Sequence, residues 1–224
     1  MASSRLRAAF AVVFLIVCAA QAGKGDDRSP IPGLFLIHRI LQAGHVSGSL
    51  AYSGCGFDKR SPPDLPPLGV LDESGTPKEI LKKLFAADPL MQVTQEDGGM
   101  IRMIEKNVPT DLLEVKIHRL SFFPLDASGA APVYGPRMAL IAILLSPEVV
   151  AFGKDHNIGH LPSLDRGFIL PGDCCASGRI VHGVLDDVTV SQALDYVLQT
   201  FPGFWLYENC VTEEGTRSVY LNFH

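Results

Sequence analysis

The chain has 224 residues, 47% hydrophobic and 19% charged, with 21 Gly, 16 Pro and a formal net charge of −5. That is long enough for one or two domains with a buried core and too apolar for an intrinsically disordered chain. The acidic balance lacks the electrostatic footprint of a nucleic-acid binder, and no run reaches the roughly 18 apolar residues of a transmembrane span.

Residues 1–22 read as a secretory signal peptide. Arg5 and Arg7 supply the positive segment, Ala8 to Ala20 the apolar segment, and Ala20-Gln21-Ala22 the cleavage site, with Gly23 as the mature N-terminus. Val17 before Cys18 argues against lipid attachment there. Cleavage leaves Cys55, Cys174, Cys175 and Cys210, an even number in an exported chain, which points to two disulfides. A bridge between the adjacent Cys174 and Cys175 would close a strained small ring. One of them is therefore expected to bond Cys55 and the other Cys210, in either assignment.

Ile31 to Ala43 is expected to form a short helix carrying Leu34, Phe35, Ile37 and Ile40, and a strand is expected within Val46 to Leu71. Asp58 to Pro67 is a proline-rich loop. Thr76-x-x-Glu79 is a capping box with Pro77 at the first helical position, and Ile80, Leu81, Leu84 and Phe85 form one apolar stripe before Pro89 ends the helix. Strands over Leu90–Thr94 and Met100–Glu105 are joined by Glu96-Asp97-Gly98-Gly99. Pro124 to Pro136 is a linker. Arg137–Leu145 is so uniformly apolar that it fits a helix or a buried strand, and Ser146-Pro147 starts a helix over Pro147–Lys154 with Ser146 as N-cap.

A strand over Arg179–Leu185 then precedes a second capping box, Thr189-x-x-Gln192. Its apolar stripe is Ala193, Leu194, Val197 and Leu198, and Pro202 is its stop. Strands over Phe204–Glu208 and Ser218–Phe223 follow, joined by a turn containing Glu214-Gly215. The segments beginning at Gly69 and Gly183 both open Gly-Val-Leu-Asp, and Thr76 and Pro89 align with Thr189 and Pro202. The organisation expected is an α+β fold of two β-α-β-β units, an internal repeat flanking a short helical insert. Residues 23–120 hold an N-terminal segment and the first unit, 121–178 the linker and insert, and 179–224 the second unit.

The second copy, with Val188-Thr189-Val190-Ser191-Gln192-Ala193-Leu194 opening its helix, resembles the short β-α-β-β domain at the N-termini of secretins and TonB-dependent receptors. The first copy, within residues 46–105, resembles it more loosely through Gly75-Thr76-Pro77-Lys78-Glu79-Ile80-Leu81. No channel or receptor barrel sequence accompanies these segments. What the resemblance implies is an interaction module of a bacterial envelope, periplasmic or secreted, with a protein partner.

His156 and His160 have a spacing that would share one helix face and hold zinc, but Gly159 interrupts the run, which reads better as a helix C-terminus with exposed histidines. Adjacent Cys174-Cys175 lack the spacing of a redox motif. No local pattern marks catalytic residues or a cofactor. Period two places Trp205 and Tyr207 on the face opposite Phe204 and Leu206. They are then either an exposed partner-binding surface or buried against the insert. The acidic pairs Asp72-Glu73, Glu96-Asp97, Asp186-Asp187 and Glu213-Glu214 read as turns or helix starts.

The function expected is a non-enzymatic exported interaction protein using a sheet edge or the aromatic hairpin. The alternatives are an exported hydrolase or thiol-exchange enzyme, with a site gathered from His118, His156, His160, His182 or cysteine, and a small-molecule binder with a pocket along Met138–Leu145.

Overall fold

The computed structural model describes residues 32–53, 74–122, 135–160, 179, 181–211 and 215–224. The expected signal peptide, the proline-rich loop, most of the 124–136 linker, and Cys55, Cys174 and Cys175 lie outside them. In chain order the elements are α1 (Pro32–Ala43), β1 (Gly48–Tyr52), α2 (Pro77–Leu84), β2 (Met91–Gln95), β3 (Ile101–Glu105) and β4 (Lys116–Ser121). After these come α3 (Pro136–Leu144), α4 (Pro147–Asp155), β5 (Ile158–His160), β6 (Val184–Thr189), α5 (Val190–Thr200), β7 (Phe204–Val211) and β8 (Arg217–Phe223).

The fold is α+β. A six-stranded mixed sheet runs in the order β2-β3-β1-β7-β8-β5, and β4 and β6 form a separate antiparallel ribbon. Strand β1 is parallel to β3 and to β7, while β2–β3 and β7–β8 are antiparallel hairpins. Side chains alternate across the sheet. Leu50, Ile101, Met103, Phe204 and Leu206 pack under α1 and α2, and Ala51, Trp205, Tyr207, Val219 and Leu221 pack under α3, α4, α5 and the ribbon. Gly48 is required where β1 passes β3, because a Cβ there would meet the Ile101 carbonyl oxygen at 2.7 Å.

Both capping boxes form. The Thr76 and Thr189 hydroxyl oxygens accept from the Glu79 and Gln192 N–H groups, and the latter side chains accept from the cap N–H groups in return. Residues 136–144 are helix, which decides the helix-or-strand alternative for that run. Ser146 does not cap α4 through its side chain. Its hydroxyl instead donates to the Ile143 carbonyl at 2.8 Å, tying α4 back to α3.

The second unit departs from expectation. Among the described residues β1, α2, β2 and β3 follow one another in that order, and the three strands share one sheet with β1 beside β3. In the second segment β6 leaves the hairpin and pairs with β4. Both edges of the β7–β8 hairpin are already taken, by β1 and by β5, so β6 satisfies its backbone groups elsewhere. Strand β1 thus borders the second strand of one hairpin and the first strand of the other, and the two-fold arrangement of equivalent units is not established. The strand expected over Arg179–Leu185 lies instead at Val184–Thr189, so Asp186 and Asp187 sit within a strand and point to solvent.

No single described helix is long and apolar enough to cross a membrane. The adjacent α3 and α4 reach that length only together, across a 60° bend. Their apolar residues Ala139, Leu140, Ile143, Leu144 and Val149 are buried in the core.

Thr189→Ala removes the acceptor for an orphan helix N–H and is expected to cost about 1 kcal/mol in urea unfolding, with Thr189→Ser close to wild type.

Candidate functional site

Strand β2 forms one end of the main sheet. Among the described residues it is bonded only to β3. The ladder runs from Met91↔Glu105 to Gln95↔Ile101, flanked by Lys106 N–H to Leu90 C=O and Glu96 N–H to Met100 C=O, at 3.0 and 2.9 Å. Antiparallel pairs alternate, so Gln92 and Thr94 bond β3, whereas the N–H and C=O groups of Val93 and Gln95 point away from the sheet. Met91 and Val93 are buried under α2, and Gln92, Thr94 and Gln95 are exposed. Gly99, at φ +83°, gives the hairpin its left-handed turn residue.

Behind this edge, Arg102 on β3 ties the hairpin to α5. Its guanidinium donates twice to Glu96 beside the turn, at 2.9 and 3.0 Å, and twice to Asp195 on α5, and it reaches the Ser49 hydroxyl of β1 at 3.3 Å. It also lies 5.6 Å from the centre of the Trp205 ring, whose Nε1–H donates to Asp195 at 2.8 Å. Burial works against the Arg102 charge. The hydrogen bonds to Asp195 and Glu96 outweigh it and raise the pKa further above the usual arginine range.

Two further polar networks are internal. Arg217 grips Asp111 through both terminal nitrogens and donates to the Asn209 Oδ1 at 3.0 Å. The Tyr207 hydroxyl and Asn209 Nδ2 both donate to the Pro109 carbonyl, at 2.8 and 2.7 Å. The hydrogen bond from Arg217 holds the Asp111 carboxyl below its ordinary range. On the opposite face Tyr52, Glu208 and Tyr220 form a row across β1, β7 and β8, with the Tyr52 hydroxyl donating to Glu208 Oε1. Burial pushes the Glu208 carboxyl up, and the Tyr52 hydrogen bond only partly opposes it. Burial also raises Tyr52 and Tyr220.

The sequence-level candidates fare unevenly. Trp205 and Tyr207 are 2% and 0% exposed, which overturns the reading of them as a partner-binding surface. Helix α5 covers one and the Pro109 segment engages the other, so both sheet faces are core. His156 and His160 do not share a helix. His156 is the C-cap of α4, its ring stacked 3.8 Å from Phe152 and its Nδ1 3.0 Å from the Phe152 carbonyl, and the left-handed Asn157 then turns the chain into β5, where His160 lies. No group of three metal-ligating residues occurs among the described residues. His118 faces Asp187 across the β4–β6 ribbon at 3.1 Å, exposed, and the described structure does not gather it with His156 or His182. Cys210 lies near the end of β7 and is partly buried.

Two cavities flank Pro202, of about 180 Å³ beside His38 and His45 and about 310 Å³ beside Phe201 and Phe223. The expected pocket along Met138–Leu145 is not one of them, since only Pro136 from that helix reaches the second. Comparison of the chain with protein-family models, curated proteins and solved structures gives no match.

The β2–β3 hairpin is legible in the sequence, whereas its place at the end of the sheet and its Arg102 anchor are not, because Asp195 lies 93 positions from Arg102. Replacing Arg102 with Met strands the largely buried Asp195 carboxylate and is expected to cost about 2–3 kcal/mol, below the range for fully buried pairs because Glu96 is half exposed. Adding Asp195→Leu should recover part of that loss in a double-mutant cycle of urea unfolding.

Glu208 gives a pH test. Its pKa is raised on folding, so its contribution to stability is full below the ordinary value of 4.5 and is lost as pH rises through the raised value. Glu208→Gln cannot ionise. Its Tm relative to wild type should therefore climb as pH rises above the ordinary carboxyl range; a constant difference would refute the buried-acid assignment.

Proposed function

We propose that this protein is an exported, non-enzymatic interaction module that binds a protein partner by strand addition to β2. The observation that carries the reading is the outward backbone of Val93 and Gln95 on a strand that, among the described residues, is bonded from one side only. Added strands take affinity from such backbone groups and specificity from alternate side chains. The Arg102 clamp fixes the hairpin in advance, so little ordering cost falls on binding. The opposite edge strand, β5, has only three residues and offers a shorter template.

Export rests on the charged, apolar and A-x-A pattern of residues 1–22, and on the cysteines as disulfide partners. An envelope role rests on the resemblance of residues 179–224 to the N-terminal domains of secretins and TonB-dependent receptors. The sheet edge takes over the role that the buried Trp205 and Tyr207 cannot fill.

Two neighbouring exposed positions test the reading. Proline at 95 removes an N–H that faces outward, whereas proline at 94 removes one bonded to Arg102 on β3. Gln95→Pro should cost under about 1 kcal/mol and Thr94→Pro about 3 kcal/mol. Gln95→Pro should also abolish partner capture from an envelope extract while its unfolding curve stays near wild type. Equal capture by wild type and Gln95→Pro would sink the proposal.

A further inference from the structure

We infer that the β2 edge selects an extended segment of a different protein, alternating apolar and polar, with basic residues at its ends, over a second copy of this chain. The inference rests on the strand-addition reading and adds the chemistry of the partner.

A second copy fits poorly. Antiparallel self-pairing centred on Val93 puts Met91 opposite the other copy's Gln95 and continues to Leu90 opposite Glu96 and Pro89 opposite Asp97. Asp88 then sits beside the other copy's turn acids. Each end of such a pairing sets carboxylate near carboxylate, and like charges across strands are unfavourable. Proline at 89 also withholds an N–H at the same place. Loss of the two-fold partner leaves an edge with an acid beyond each end, Asp88 at one and Asp97 at the other. Glu96 has its charge answered by Arg102, whereas Asp97 is exposed at the turn and makes no ion pair among the described residues.

The two sides of the edge dictate the middle of the partner. Residues of an added strand that share the face of Met91 and Val93 lie along the flank of α2, where apolar side chains extend an existing cluster. Residues on the other face lie beside the exposed Gln92 and Thr94 and are polar. Lysine or arginine at either end meets Asp97 or Asp88.

The test uses the full chain and three capped peptides of one core, Val-Thr-Val-Thr-Val, flanked by Lys, Ser or Glu, followed through the backbone amide resonances of Val93 and Gln95. The Lys-flanked peptide should bind about tenfold more tightly than the Glu-flanked one at low salt, with the gap closing as salt is raised. It should protect the Val93 and Gln95 amides from exchange. Asp97→Lys, at an exposed position outside the ladder, should narrow or reverse the preference. Equal, Gln95→Pro-sensitive binding of all three peptides would overturn the charge selection and leave strand addition standing. Binding insensitive to Gln95→Pro, or no binding, would overturn strand addition itself. Self-association in sedimentation that protects the same two amides would identify a second copy as the occupant and overturn the inference.

Discussion

Strand β1 is the constraint on which the sheet depends. Its five residues, Gly48 to Tyr52, are buried on both faces and take hydrogen bonds from both sides, from β3 on one and β7 on the other. A strand in that position tolerates neither bulk nor unpaired polarity. The sequence answers with glycine where the Ile101 carbonyl presses in, a small serine and alanine toward α5, and Leu50 and Tyr52 toward α1 and α2. Because β1 joins the two hairpins, the sheet is continuous, and the helices fall into two layers either side of it.

Arg102 performs the second joining, on one face. It links the turn beside β2 to α5 and touches β1 and Trp205 on the way. The charge is affordable inside the structure only because two carboxylates, an indole ring and a hydroxyl surround it. A consequence is that the end of the sheet, usually its most yielding part, is tethered to the centre of the core. Strand β2, which pairs with β3 alone among the described residues, is thereby anchored through its hairpin to α5.

Much of the local structure was legible because its causes are local. The capping boxes act over three residues, the stripes of α2 and α5 over one or two turns, and the Glu96–Gly99 turn within its own hairpin. Strand β4 was not legible: only Ile117 and Leu120 are buried in it, a spacing that breaks the period of two. Strand β6 was misplaced because two aspartates interrupt its apolar residues. The run Phe204–Asn209 is buried at every position, so alternation could not say whether Trp205 faced solvent, and Glu208 and Asn209 look like surface residues until their partners are seen. Those partners, like Asp195 for Arg102, lie far off in sequence and leave no local mark. Pairing of β6 with β4 rather than with its own hairpin is non-local in the same way.

The contact between Tyr52 and Glu208 spans 156 positions, and the parallel β1–β7 register closes the same span. Closing a loop of that size costs about 4–5 kcal/mol in chain entropy before any pairing repays it. The β1–β7 pairing is thus of high sequence separation, the kind of contact that slows folding. Until residues 204–208 arrive, β1 carries one bare flank of apolar strand, so an interrupted or prematurely released chain exposes a sticky template at its centre. The same geometry that seals β1 in the finished protein makes the half-made one a substrate for chaperones and for aggregation.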